Sequence, residues 1–141
     1  MQQVTFLDVR TGVFQALAQA FPNIDRYGDE IKEGLTTPCF FVKLLEPTHT
    51  HELNRRYTRE LPFDVHYFAD TNKERISMAE QLTSVLESIQ VGGRPLMGAN
   101  MSWEIMDDVL HFFVTYRMHV WKQKTLYPAM KVLEVNEVVR S

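Results

Sequence analysis

A single cysteine, Cys39, stands in this chain of 141 residues. No internal disulfide can therefore brace the fold, and a reducing cytoplasm is the expected setting for synthesis and folding. Long apolar runs are missing too. None approaches the roughly 20 residues needed to cross a bilayer, which argues against a membrane protein. The opening Met1-Gln2-Gln3-Val4-Thr5 lacks the basic and apolar regions of a secretory signal. Basic charge is not in excess. Fifteen Lys and Arg against 18 Asp and Glu give a net charge of -3, with Arg55-Arg56 as the adjacent basic pair. A protein that lives by phosphate contacts usually carries a basic face, so specific nucleic-acid binding is not expected.

What the chain does have is an ordinary globular balance, 45% hydrophobic and 23% charged. It shows no internal repeat, low-complexity tract or linker. One domain over 1–141 is expected, with an extended C-terminal arm over about 122–141.

The first element reads as a helix from Thr5 to Phe21. Thr5 can cap it, with Asp8 reaching back three residues on. Phe6, Val9, Val13, Leu17 and Ala20 then share one face. A polar stretch from Asn23 to Pro38 reads as a structured loop with a short strand near Ile24–Tyr27. Cys39–Leu45 is apolar on both faces, the signature of a covered strand. Pro47 interrupts it, and a polar excursion runs from Glu46 to Tyr57. Leu61, Phe63, Val65 and Tyr67 then alternate with Asp64 and His66, as in a half-buried strand.

Thr71 and Glu74 fit a capping box for a second helix, whose apolar face is Ile76, Ala79, Leu82, Leu86 and Ile89. Met101–Ile105 and Leu110–Val120 alternate on either side of Asp107-Asp108, which predicts an antiparallel hairpin. Met130–Val139 reads as a last strand or arm. The expected order is α-β-β-α-β-β-β, an α+β fold with a mostly antiparallel sheet on two main helices.

Chemistry-bearing residues are present but do not group in the sequence. His49 and His51 lie in the polar excursion, and His111 and His119 share a face of the last long strand. No cysteine pair or His-x-x-x-His spacing supports them as zinc ligands, so solvated or rim positions are expected and no metal or cofactor is. Cys39 sits among Phe40, Phe41 and Val42, which favours a small buried hydrophobe over a nucleophile. Asp107-Asp108 would face opposite sides of a strand and does not form an acid pair. Gly92-Gly93-Arg94 lacks the strand-before, helix-after context of a phosphate loop. No catalytic residue is assigned, and the chain is not expected to be an enzyme. A small metal-dependent enzyme using the histidines is the alternative of another class. One surface stays open to two readings. Val109, His111, Phe113, Thr115, Arg117, His119 and Trp121 form a mixed face, suited to cover by a helix or by another subunit.

Several blocks resemble a known family. Phe21–Gly34 (FPNIDRYGDEIKEG), Pro38–Leu44, Asn54–Tyr57, Phe63–Phe68, Leu110–Val114 and Leu133–Asn136 occur in an order similar to that of the phage tail-terminator proteins of Gram-positive bacteria and their prophages. The resemblance implies a non-catalytic virion-tail protein, assembled in the host cytoplasm, that forms a six-membered ring. Such a ring caps the tail tube, ends its polymerisation and contributes to head-tail joining. The implied partners are further copies of this chain, the tail-tube protein and a head-completion or neck protein, while DNA passes through without specific binding. A neck connector is the alternative within this class. Arg55 and Arg56 are candidate contacts to carboxylates of a neighbour near Asp29, Glu30 or Glu33. Lys131, Leu133 and Val135 of the arm are the other interface candidates.

Overall fold

The computed structural model describes residues 4–28 and 37–121. Helix α1 (Phe6–Ala20) starts at Thr5, where the expected capping box forms in both directions with Asp8. Val9, Val13 and Leu17 are fully buried, while Ala20, in the last turn, is exposed rather than part of the apolar face. A short strand β1 (Asp25–Tyr27) runs parallel to β2 (Cys39–Leu44). The polar excursion is not a loop. It is a hairpin of β3 (Thr48–Leu53) with the first part of β4 (Arg56–Phe68), turning at Asn54, whose φ is 54°. Every residue of β3 is exposed, so its strand character comes from pairing with β4 and leaves no alternation to read.

Helix α2 (Asn72–Val85) is capped by the Thr71 hydroxyl, which accepts the Glu74 amide and donates to the Glu74 carboxylate. Its inward positions are Arg75, Met78, Ala79 and Leu82, and Ile76 is 51% exposed. The inward place near Ile76 is taken by Arg75, whose guanidinium bonds the Ala69 carbonyl at 2.6 Å and the Asn72 side chain. The helix also stops earlier than its apolar spacing suggests. Ile89 belongs to β5 (Ser88–Val91), which turns at Gly92-Gly93 into β6 (Arg94–Met106). Asp107 and Asp108, both with positive φ, make the expected tight turn into β7 (Val109–Trp121).

The order is thus α-β-β-β-β-α-β-β-β, an α+β fold in which β1 is the short strand expected near Ile24–Tyr27, β3 and β5 are added to the expected pattern, and the region after 121 lies outside the described residues. The sheet runs β1-β2-β4-β7-β6-β5, antiparallel except for β1, with β3 continuing beyond β2 along the same edge of β4. Strands β4 and β7 pair over their whole lengths and form its spine. Phe40, Val42, Leu61, Phe63, Val65, Tyr67 and the even-numbered residues Leu110–Val120 make one inward face. Both helices pack on it: α1 chiefly against β5, α2 chiefly against β7.

Candidate functional site

The opposite face of the sheet carries the polar chemistry. Residues paired across antiparallel strands point to the same side. One row therefore reads Phe41–His66–His111–Glu104, and the next reads Lys43–Asp64–Phe113–Ser102. Among the described residues no helix covers this face. Even so, Asp64 is buried, and the side chains of His66 and His111 are only 17% and 16% exposed.

These three residues converge. His111 Nδ1 bonds Asp64 Oδ2 at 3.1 Å, and His66 Nε2 lies 2.9 Å from the same oxygen but off the hydrogen-bond line. The two imidazole centroids are 4.3 Å apart. Phe41, Phe68 and Phe113 stand beside them. Asp64 Oδ1 is buried and has no hydrogen-bond partner among the described residues. Burial pushes the Asp64 carboxyl up, but the imidazoles of His66 and then His111 outweigh it and leave it below the usual carboxylate range. The sequence carried a signal for this cluster. Asp64-x-His66 on an alternating strand puts both side chains on one face, and His111 needed only the β4–β7 register to join them.

The other end of the same face is a solvated ion-pair surface. Arg56 Nε donates to Glu52 Oε1 at 2.7 Å, His119 Nδ1 is 3.2 Å from the Thr58 hydroxyl, and Arg117 pairs with Glu60 at 2.9 Å. The Thr58 hydroxyl and then Arg56 hold the Glu52 carboxyl below its ordinary value. Arg56 thus has a carboxylate within its own hairpin, while Arg55 is exposed in the turn. Leu53 and Trp121, both opposite Arg56 in the ladder, are 69% and 56% exposed. On the inner side His49 stacks on Tyr57 at 4.5 Å and accepts from Arg59, whose guanidinium lies 4.2 Å from the Phe6 ring centroid. That contact anchors the hairpin base to α1.

The remaining interface candidates, Asp29, Glu30, Glu33, Lys131, Leu133 and Val135, lie outside the described residues. Cys39 is fully buried, and burial followed by the nearby Asp25 raises its thiol pKa, which opposes thiolate formation. Among the described residues no helix is long and apolar enough to cross a membrane.

Among the described residues the sheet ends in β1 and β5, the β3 strand of the hairpin is exposed throughout, and no helix covers the polar face. The family model described as phage tail terminator protein matches residues 8–128, and the chain belongs to that family. It is a structural protein of a phage tail. No curated protein matches the chain. Among the solved structures similar to this chain is one that aligns at 12% identity and a TM-score of 0.47, covering 88% of this chain and all of its own length. Likeness at that level carries no functional argument.

Proposed function

We propose that the protein closes into a ring on the last ring of tail-tube subunits, stops their polymerisation and offers the surface that joins tail to head. The family match over residues 8–128 is the observation that carries this reading. The fold is suited to it. Strand edges at β1 and β5, and the projecting β3–β4 hairpin, provide backbone and side-chain groups that head-to-tail contacts can satisfy when the rotation closes. Ring assembly needs complementary surfaces and no reacting group. Partners are then copies of this chain, the tube protein and a neck protein, in a particle assembled in the host cytoplasm. A net charge of -3 suits a channel through which DNA slides without being held.

The test is reconstitution. Tube protein that polymerises in vitro is mixed with this protein, and tube length and end structure are recorded by electron microscopy. Capping predicts shorter tubes carrying extra density at one end. An unchanged length distribution with bare ends would contradict it.

A further inference from the structure

We infer that Asp64, His66 and His111 form a binding site for a borderline divalent transition-metal ion of the zinc type. The inference is independent of the capping role. One donor atom from each residue falls within a group whose members all lie within 4.8 Å of one another. Zinc holds imidazole nitrogen at about 2.0–2.1 Å and carboxylate oxygen at about 2.0–2.2 Å. Two such donors are about 3.0 Å apart when they subtend a right angle at the ion, and about 3.4 Å apart at the tetrahedral angle. Asp64 Oδ2 is 2.9 Å from His66 Nε2 and 3.1 Å from His111 Nδ1. The carboxylate oxygen thus stands at a ligand-pair distance from each imidazole, and one ion can join all three with the two ring nitrogens within about 4.2 Å of each other and water completing the shell.

Two further observations point the same way. His66 Nε2 and Asp64 Oδ2 sit at contact distance without an aligned hydrogen bond. That nitrogen therefore stands beside the carboxylate with its bonding capacity unused among the described residues. The second carboxylate oxygen, Oδ1, is buried without a partner among the described residues, an electron-rich atom beside the same point. The donors ride on β4 and β7, which pair continuously from Arg56–Trp121 to Phe68–Val109, so the sheet holds all three on one face. Phe41, Phe68 and Phe113 form an apolar surround that strengthens electrostatic attraction to an ion. Two imidazoles and one carboxylate favour zinc, nickel or cobalt over magnesium, which prefers oxygen donors.

The experiment uses full-length protein stripped with chelator and titrated with Zn2+ by calorimetry, with Mg2+ in parallel. One zinc per chain is expected, with micromolar or tighter affinity and no heat from magnesium. His66→Gln and His111→Gln should each weaken zinc binding at least tenfold, whereas the triple variant His49→Ala, His51→Ala, His119→Ala should bind like the parent. Because strand substitutions can impair folding, imidazole 1H–15N spectra of the unaltered protein give a second readout. Zinc should shift the His66 and His111 signals and leave the other three in place. Absence of zinc binding, or zinc shifts confined to His49, His51 or His119, would overturn the inference.

Discussion

Tyr116 lies fully buried in β7, and its hydroxyl donates to the Leu86 carbonyl at 2.6 Å, tying the end of α2 to the sheet spine. Burial raises the phenol pKa well above its ordinary value of 10.0. The sign follows directly. Folding favours the protonated phenol, so its contribution is fully present below the unfolded pKa near 10 and is lost as pH rises towards the folded value. Spectrophotometric titration should show at least one tyrosine that ionises only when the protein unfolds. Tyr116→Phe should remove that fraction. It should also cost about 1–2 kcal/mol in denaturant unfolding, because the Leu86 carbonyl loses its buried donor. A normal, reversible titration of all five tyrosines would contradict the packing described.

At the scale of elements, α1 and β5 approach closely through Gly12. A Cβ there would lie 2.8 Å from the Gln90 carbonyl oxygen and 2.9 Å from Val91 Cγ2. Alanine normally improves a helix interior by about 1 kcal/mol over glycine. Overpacking against backbone costs about 1–3 kcal/mol. Gly12→Ala should therefore destabilise the fold by up to about 2 kcal/mol, read as a lower midpoint in chemical denaturation, whereas a gain would mean that α1 sits further from β5. Elements whose burial alternates were legible in sequence. Leu110–Val120 of β7 and Val9, Val13 and Leu17 of α1 follow their periods, and Phe63, Val65 and Tyr67 point inward as their alternation with polar residues suggests, although Asp64 on the other face is itself buried. Where burial does not follow local period, legibility fails. Strand β3 is exposed throughout and held by pairing alone, and Ile89 keeps helical spacing although the chain has already entered β5. Arg75 is buried because two oxygens from the preceding loop and first turn receive it, which periodicity cannot show. The Asp64–His66–His111 cluster required the cross-strand register, information held by two segments 47 residues apart in the case of Asp64 and His111.

At the scale of the whole molecule, the proposed function makes this chain one part of a closed assembly. In the proposed reading, the exposed hairpin end with Arg55, Leu53 and Trp121 is the contact between subunits. Light scattering after size exclusion should give a mass near six times 16.5 kDa, at least in the presence of tube protein. Arg55→Glu with Arg56→Glu should reduce assembly by reversing charge at that end and by breaking the Arg56–Glu52 pair. Unchanged sedimentation of the double variant would remove the hairpin from the interface. The central claim, that this protein ends tube growth, is tested most directly by removing its gene from a phage that encodes it and measuring tail structures in the lysate by electron microscopy. The account predicts tubes that overrun the normal tail length, together with filled heads lacking tails. Tails of normal, uniform length joined to heads would contradict it.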